Sequence, residues 1–398
     1  MAANERVLIA GAGPVGLVAA ASLGKAGVPV LVMEAGDELA PDLRASTFHP
    51  PTLDMLDEFG VTEKLIEQGL IAPQWQFRDR QSGDRAEFDL SILSDVTNHP
   101  YRVQCEQHKL TRIIYPLLQE MDNVDVVFGT RVTGVSQTAD EAVAITERNG
   151  EEVRYTGAYL IGADGASSVV RIDLGIGFEG ITYPEDFVQA STTFEFREHI
   201  PNMSLINYIS DAAEWYVLLR VPGLWRVLFP TRNGESEEEA ISEEGLQRRL
   251  QGVVPRDESY EIAHRTLYHV HQRVATTYNQ GRIFLVGDAA HLNNPLGGMG
   301  MNGGIHDALN LTSKLLRVRE GEDAALFDAY TRERQPIAVE YVQAQAERNR
   351  QLLRERDEAV RMAGFRDLQA TAADPARARK FLLRSSMIDS LQKAEAAS

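Results

Sequence analysis

The chain has 398 residues and a formal net charge of −18, with 43% hydrophobic and 25% charged residues. These values are ordinary for a globular protein and predict two or three domains, or one core with a large insertion. The acidity argues against nucleic acid and an anionic membrane surface as partners, because both bind basic proteins, and no apolar run approaches the ~20 residues of a membrane span.

The first element is a strand–helix–strand unit over residues 7–35 that contains the G-x-G-x-x-G motif GAGPVG. Gly11 permits a tight turn, Gly13 lets the backbone approach a pyrophosphate, and Gly16 lets the helix pack close to the sheet. The helix N-terminus offers N–H groups to the anion, and Glu34 ends the second strand, where a carboxylate can bind a ribose. The unit predicts a dinucleotide site and leaves FAD and NAD(P) open. Because its strand begins so early, we expect no signal peptide.

Helices and hairpins then alternate. The predicted elements are a helix over 51–60, a hairpin over 75–90, a strand and helix over 101–120, and a β-meander over 124–155. Asn149-Gly150 is a strong hairpin signal within the meander. Between 180 and 275, strand-like runs rich in aromatic residues predict an inserted, mainly antiparallel sheet with one helix near 238–252.

Two apolar strands end in an aspartate beside glycine, at Asp164-Gly165 and at Asp288. The second aspartate is followed by many glycines and a helix, so a flat or extended ligand is expected close to the backbone there. Helices are predicted over 303–319 and from about 324 onward, and Pro336 should kink or start one of them.

Three motifs together carry a family resemblance: GAGPVGL with Glu34, Asp164-Gly165 with Arg171 after it, and GDAAHLNNPLGGMGMNGGIHDALNL. Over roughly residues 5–345 the chain resembles the single-component, FAD-dependent aromatic hydroxylases of the p-hydroxybenzoate hydroxylase fold. The resemblance implies an α/β fold, with a Rossmann-like FAD-binding domain of the glutathione reductase type and an inserted, mainly antiparallel β substrate domain. The resemblance also implies the domain boundaries. The FAD-binding domain would comprise residues 1–75, 100–178 and 276–330, and the substrate domain residues 76–99 and 179–275. The C-terminal helices would comprise residues 331–398.

The resemblance also implies cofactor contacts. Arg44 would reach the nucleotide or pyrophosphate, and Gln104 would lie beside the FAD chain, although Gln107 is near it in sequence. Asp288 would bind the ribityl chain, and Asp164 would help to hold FAD and the reduced nicotinamide. The full implied set is Gly11, Ala12, Gly13, Pro14, Val15, Gly16, Glu34, Ala35, Arg44, Gln104, Asp164, Asp288, Pro295, Gly298, Gly300, Met301 and Asn302. Of these, Pro295 and the backbone of Met301 and Asn302 would lie at the reacting part of the flavin.

The implied reaction has two halves. NADPH or NADH reduces the flavin, and the reduced flavin captures O2 as a C4a-hydroperoxide that hydroxylates a phenolic or heteroaromatic small molecule. The alternatives are an epoxidase, a ring-opening oxygenase or a reductase on the same scaffold, or a non-catalytic FAD-binding protein. A homodimer is a candidate assembly.

Substrate would bind between the aromatic-rich sheet and the flavin. Candidates by location alone are Tyr208, Tyr216, Arg220 and Trp225, with sheet core as the alternative reading of the aromatic residues. His269 and His271 are expected to lack nearby carboxylate ligands, so no metal site is predicted. His291 is expected to support the FAD loop. The single cysteine, Cys105, excludes an internal disulfide and fits a cytoplasmic location.

Overall fold

A computed structural model describes residues 5–41 and 45–396. The strands in chain order are β1 Val7–Ala10, β2 Val30–Met33, β3 Thr47–Phe48, β4 Leu70–Ala72, β5 Gln74–Asp79, β6 Arg85–Asp89, β7 Arg102–Gln104, β8 Val124–Val127, β9 Thr130–Gln137, β10 Ala142–Arg148, β11 Glu151–Gly157, β12 Tyr159–Gly162, β13 Phe178–Thr182, β14 Phe187–Thr192, β15 Ile206–Ser210, β16 Tyr216–Val221, β17 Leu224–Pro230, β18 Ile262–Tyr268, β19 His271–Ala275, β20 Asn279–Gln280, β21 Ile283–Leu285 and β22 His291–Leu292.

The helices alternate with these strands in the first third of the chain and dominate its last quarter. In chain order they are α1 Pro14–Lys25, α2 Pro50–Asp57, α3 Thr62–Gln68, α4 Gln107–Gln119, α5 Val169–Asp173, α6 Glu237–Ile241, α7 Glu243–Val253, α8 Gly300–Arg319, α9 Leu326–Ile337, α10 Ala344–Arg354, α11 Glu358–Ala373, α12 Pro375–Ser385 and α13 Ile388–Ala396. Within the described ranges, every helix is too short or too polar to cross a membrane.

The N-terminal unit belongs to a six-stranded sheet with the order β20-β21-β12-β1-β2-β8. Neighbouring strands are parallel except for β20 with β21. Leu8, Ile9 and Leu160 are fully buried because α1 packs against this sheet and the strands β9, β10 and β11 pack against β2, β12 and β1. A sheet that is covered on both faces needs unbroken apolar runs in its strands. The chain returns to this sheet at β21 after the inserted sheet, as predicted.

The predicted β-meander begins later than expected. β8 pairs in parallel with β2 in the six-stranded sheet, whereas β9, β10 and β11 form a separate antiparallel sheet. Asn149 and Gly150 have φ angles of 54° and 79°, as a two-residue hairpin turn requires. The hairpin prediction is therefore confirmed, and the meander is limited to three strands.

The inserted sheet has seven strands in the order β18-β14-β17-β16-β15-β5-β6. Its pairs are antiparallel except for β15 with β5, which are parallel. The predicted hairpin over 75–90 supplies β5 and β6 at one edge. The single helix expected near 238–252 is two helices, because Ser242 ends α6 in an extended conformation and caps α7 through its side chain.

The C-terminal helices pack against the seven-stranded sheet. Phe381 stacks on Phe88 with ring centroids 4.5 Å apart, and buried Arg361 donates to Asp79 at 3.0 Å. Pro336 lies inside α9 and is followed by a π-helical segment, Ala338–Gln343. Since proline cannot donate to the helical ladder, an irregular turn near this position is expected.

Candidate functional site

The carboxyl ends of three adjacent strands meet at one edge of the six-stranded sheet. β1 leads into the loop 11–16, β12 into Asp164-Gly165, and β21 into Asp288. Residues from all three strand ends line one cavity of about 540 Å³. Because parallel strands end at a common edge, motifs that are distant in sequence form a single site, in the position where open α/β sheets bind ligands.

In the loop after β1, Gly13 is the glycine that leaves space for an anion. Gly11 has a φ of 102°, and a Cβ there would lie 2.5 Å from the oxygen of Ala163. A Cβ on Gly16 would lie 2.1 Å from the Gly11 oxygen, whereas a Cβ on Gly13 would meet nothing within 4 Å. Gly13 lines the cavity and precedes α1, which has no side-chain cap. Gly11 and Gly16 therefore shape the loop, and Gly13 leaves space at the helix N-terminus.

Glu34 is oriented by the same loop. Its carboxylate accepts hydrogen bonds from the backbone N–H groups of Ala12 at 2.7 Å and Gly36 at 2.9 Å. Arg131, which the sequence motifs do not identify, also lines this end, since the Thr130 N–H donates to the Glu34 carbonyl. The predicted cofactor contacts that line the cavity here are Gly11, Gly13, Pro14, Val15, Glu34 and Ala35. Arg44 lies outside the described residues.

The glutamine expected beside the FAD chain has two candidates, and they differ in position. Gln104 is fully buried in β7, where it accepts a hydrogen bond from the Thr47 hydroxyl at 3.1 Å. Gln107 is the first residue of α4 and lines the cavity. The geometry therefore favours Gln107 over Gln104. Sequence could not make this choice because it did not locate the end of β7.

The segment after β21 lines the opposite end of the cavity. Asp288 sits in a short 3-10 turn at the strand end. α8 begins at Gly300, and its N-cap residue Met299 makes no side-chain capping hydrogen bond, so the first N–H groups of the helix are available to a ligand. The predicted contacts that line this end are Asp288, Pro295, Gly298, Gly300 and Met301.

The side chain of Asn302 supports this segment through hydrogen bonds. The amide donates to the carbonyls of Thr47 at 2.8 Å and Gly298 at 2.7 Å, and its oxygen accepts the His49 N–H at 2.9 Å. The side chain is fully buried and does not line the cavity. It fastens the glycine loop and the start of α8 to β3, while its backbone N–H lies in the first turn of α8.

A buried ionic cluster around Asp307 supports the Asp288 turn. Asp307 on α8 accepts hydrogen bonds from His291 at 2.6 Å, Arg334 at 2.7 Å and the Gly287 N–H at 3.3 Å. Burial alone would raise the pKa of Asp307, but His291 and Arg334 lower it to about 2. The expected supporting role of His291 agrees with this geometry.

Asp164 is fixed by its own loop. Its carboxylate accepts hydrogen bonds from the Ser168 hydroxyl at 2.6 Å and the Val170 N–H at 3.1 Å, and the residue lines the cavity. The nearby Arg171 donates to the Ala289 carbonyl at 2.9 Å. The Asp164 loop and the Asp288 turn are thus tied together directly.

The inserted sheet closes the cavity with an apolar wall. Tyr208 lies on this wall with Val217, Leu219 and Leu228, and Leu296 joins them from the loop before α8. Tyr208 is one of the four substrate candidates from sequence, and it is the one of the four that lines the cavity.

The other three substrate candidates do not reach the cavity. Tyr216 packs against Phe229 with centroids 5.7 Å apart, and the Trp225 indole donates to Glu195 at 3.0 Å. Arg220 lies 3.5 Å from the same carboxylate. Side chains alternate along a strand, so these residues face α6 and α7 while their neighbours face the cavity. Location in sequence did not distinguish the two faces, and this corrects the prediction for all three.

His269 has carboxylate neighbours that sequence did not reveal. Its Nδ1 lies 3.1 Å from Asp186, and its Nε2 lies 3.8 Å from Glu237. These three residues could face one ion, yet the two carboxylates approach different ring nitrogens. A metal ion takes one imidazole nitrogen, so the arrangement is that of an exposed hydrogen-bonded imidazole. The expectation that no carboxylate lies nearby is wrong.

Comparisons with known proteins agree with this geometry. A family model described as an FAD binding domain matches residues 4–345. Para-nitrophenol 4-monooxygenase of Pseudomonas sp. strain WBC-3 is 33% identical over 384 residues, which is 95% of this chain and 94% of the relative. The 6-hydroxy-3-succinoylpyridine 3-monooxygenase HspB of Pseudomonas putida is 32% identical over 88% of this chain and 89% of its own.

Two solved structures are also similar. The crystal structure of p-nitrophenol 4-monooxygenase PnpA from Pseudomonas putida DLL-E4 matches with a TM-score of 0.91 at 30% identity, over 98% of both chains. A ternary complex of aklavinone-11 hydroxylase with FAD and aklavinone matches with a TM-score of 0.77 at 26% identity, over 89% of this chain and 70% of that one.

The cavity fits the cofactor that these relatives imply. Gly13 leaves open space at the N-terminus of α1, the uncapped N-terminus of α8 borders the other end, and an apolar wall completes the site. Helix N-termini suit a pyrophosphate and a flavin edge that carries negative charge. The chain belongs to the family of single-component, FAD-dependent aromatic hydroxylases and is an FAD-dependent aromatic monooxygenase.

Proposed function

We propose that the enzyme hydroxylates a phenol, with NADH or NADPH as reductant and O2 as oxidant. The observation that carries this proposal is one continuous cavity, with the G-x-G-x-x-G loop at one end and an apolar wall that includes Tyr208 at the other. The names of two relatives, para-nitrophenol 4-monooxygenase and pentachlorophenol 4-monooxygenase, support a phenol as substrate. The cytoplasmic location expected from sequence is part of the same proposal.

The charge distribution in the cavity favours a phenol over an aromatic carboxylic acid. Among the described residues, Arg131 is the one cationic side chain that lines the cavity, and it lies beside Glu34 at the nucleotide end. Arg220 lies on the opposite face of the inserted sheet, beside Glu195. Arg226 does not line the cavity and is buried 4.0 Å from Glu106. A substrate carboxylate would therefore lack the bidentate arginine partner that such groups commonly have.

We infer the following roles for the chain's own residues. The N–H groups at the start of α1 bind the pyrophosphate, and Glu34 binds the adenosine ribose. Asp288 binds the ribityl chain, and the first N–H groups of α8 stabilise negative charge at the flavin edge. The apolar wall excludes water from the reacting ring. When bound, FAD supplies electron transfer from the nicotinamide and activation of O2, so no side-chain nucleophile is needed.

The ribityl assignment predicts a loss of cofactor in Asp288→Ala. Charge-assisted hydrogen bonds to the carboxylate contribute about 1.5–3 kcal/mol, so we expect the dissociation constant of FAD to rise roughly 10- to 100-fold. Flavin fluorescence titration of the apoprotein measures this change. Asp125→Ala, which removes an exposed carboxylate from β8, is the control. Affinity equal to that of the unmodified protein in Asp288→Ala would refute the assignment.

The function itself is tested with the purified flavoprotein and a panel of phenols, phenolic acids and ring-free alkenes. We expect a phenol to stimulate NADH or NADPH oxidation several-fold, with matching O2 uptake and one labelled oxygen atom from isotopic O2 in the product. Reduction of an added compound by NADH or NADPH without O2 uptake would instead indicate a reductase. If no aromatic compound stimulates oxidation of either nucleotide, the proposal fails in favour of a non-catalytic FAD-binding protein.

A further inference from the structure

The loop 295–298 leads from the apolar wall to the start of α8, and all four of its residues line the cavity. The Gly298 N–H donates to the Pro295 carbonyl at 3.0 Å, which closes a four-residue turn. Gly297 and Gly298 have φ angles of 122° and 65°. Glycine adopts positive and negative φ with similar ease, so two adjacent glycines leave the direction of their peptide units open unless other groups hold them.

Three consecutive carbonyls of this loop each accept a hydrogen bond from a side chain of a different part of the chain. The pairs are Leu296 with Asn349 on α10 at 3.4 Å, Gly297 with His49 before α2 at 2.9 Å, and Gly298 with Asn302 on α8 at 2.7 Å. We call these three side chains the carbonyl clamp. All three are buried and do not line the cavity, so the carbonyl oxygens lie on the outer side of the loop.

The clamp determines which backbone groups face the cavity. Every peptide bond among the described residues is trans, so each carbonyl points away from the N–H of the next residue. With the Leu296 and Gly298 carbonyls on the outer side, the N–H groups of Gly297 and Met299 point inward. The loop therefore presents donors rather than acceptors to the cavity, next to the uncapped N-terminus of α8. Peptide dipoles fixed in this direction favour negative charge on a bound group.

His49 is the clamp member with one possible donor atom. A carbonyl only accepts, so Nε2 of His49 must carry the proton that reaches Gly297. Nδ1 is buried without a hydrogen-bond partner in the part of the chain that the structure describes. Burial, and then the charge of Arg102, hold the pKa of His49 well below its ordinary value of 6.5. The ring is therefore neutral, and its single N–H is committed to the Gly297 carbonyl.

We propose that His49 is a positioning residue of the reaction, which holds the Gly297 carbonyl out of the cavity so that the loop favours the reduced, negatively charged form of the cofactor. The inference rests on the proposed placement of the flavin edge at the start of α8. Without the Nε2 donor, the buried carbonyl would lose its partner, and the two glycines allow it to turn toward the cavity. A carbonyl oxygen that faces the flavin would disfavour the charge gained on reduction.

The test compares three substitutions of His49 in the holoenzyme. Glutamine places its amide nitrogen as many bonds from the backbone as Nε2 of histidine, asparagine reaches only the position of Nδ1, and leucine has no donor. The reduction potential of bound FAD is measured against a reference dye, without any aromatic compound. We expect His49→Gln to keep the potential. His49→Asn and His49→Leu should lower the ratio of affinities for reduced and oxidised FAD at least about tenfold, which is about 30 mV.

His306→Leu is the matched control, because His306 is also a buried histidine. Its Nε2 pairs with the Thr52 hydroxyl at 2.9 Å instead of a loop carbonyl. The substitution should lower the free energy of unfolding and leave the potential unchanged. Asn349→Leu removes the clamp member on α10 and should shift the potential in the same direction as His49→Leu. These variants separate loss of the clamp from general loosening of the fold.

An unchanged potential in His49→Leu would overturn the inference. If His49→Leu does not fold, an unchanged potential in both His49→Asn and Asn349→Leu has the same meaning. An equal shift in His49→Gln and His49→Leu, or a similar shift in His306→Leu, would also overturn it. The expected shifts in a protein whose NADH or NADPH oxidation no phenol stimulates would contradict the proposed function alone. Phenol hydroxylation with an unchanged potential in His49→Leu would contradict the His49 inference alone.

Discussion

Asp307→Ala is expected to lower the free energy of unfolding of the apoprotein by about 3–5 kcal/mol. The substitution leaves the Arg334 guanidinium buried without the carboxylate that it contacts at 2.7 Å. His291 and the Gly287 N–H lose the same partner. Uncompensated buried charge is among the most destabilising consequences of a single substitution. Urea denaturation of the apoprotein measures the change without the added stability that bound FAD confers.

The lowered pKa of the Asp307 carboxylate predicts that the free energy of unfolding depends on pH. Its pKa in the folded chain is about 2, below the ordinary value of 3.8, so folding favours the ionised form. The resulting stability, about 2 kcal/mol, is present above pH 4 and is lost as the pH falls from about 4 to about 2. Asp307→Ala should therefore flatten this part of the acid limb, whereas Asp125→Ala at an exposed position of β8 should not. A variant as stable as the unmodified chain would contradict the role of the cluster.

Gly13→Val is expected to weaken FAD binding by about a thousandfold, or about 4 kcal/mol, without unfolding the protein. Gly13 has φ −71° and ψ 177°, an extended conformation that valine adopts readily. A Cβ there meets no atom within 4 Å, yet the residue lines the cavity before α1. The added methyl groups would occupy the space assigned to the pyrophosphate. Flavin fluorescence titration gives the affinity, and thermal unfolding of the apoprotein gives the stability.

Two other glycines provide the comparison for Gly13. Gly16→Ala should lose both fold and FAD, because its Cβ would lie 2.1 Å from the Gly11 oxygen. Gly252→Val, in α7 and away from the cavity, should retain normal FAD affinity. If Gly13→Val binds FAD as tightly as the unmodified chain, the pyrophosphate does not bind at this loop.

Much of the cofactor site was predictable because its signals are local. The G-x-G-x-x-G loop, Glu34 at the end of β2 and Asp288 at the end of β21 each follow an apolar strand, and such strand ends meet at one edge of a parallel sheet. The Asn149-Gly150 turn was predictable for a similar reason, since its backbone conformation favours these two residue types. The residue-by-residue cofactor contacts and the domain boundaries remain predictions.

The sequence was least informative where a residue's role depends on which way its side chain points. Gln104 and Gln107 are three residues apart, but one packs on Thr47 and the other lines the cavity. Tyr216 and Val217 are adjacent, and a strand directs them to opposite faces. His269 meets Asp186 and Glu237 only because distant segments of the chain fold together.

By itself, the sequence determined the family, the α/β fold and FAD as the cofactor, because these depend on backbone conformations and apolar patterns that short motifs encode. Only the tertiary structure decided which side chains reach the cavity. It placed Tyr208, one of four candidates, on the cavity wall with Val217 and Leu228. The cavity joins segments far apart in the chain, and no local pattern specifies which side chains line it. The composition of the cavity wall thus depends on the assembled sheet and loop, whereas the motifs alone already indicate the cofactor.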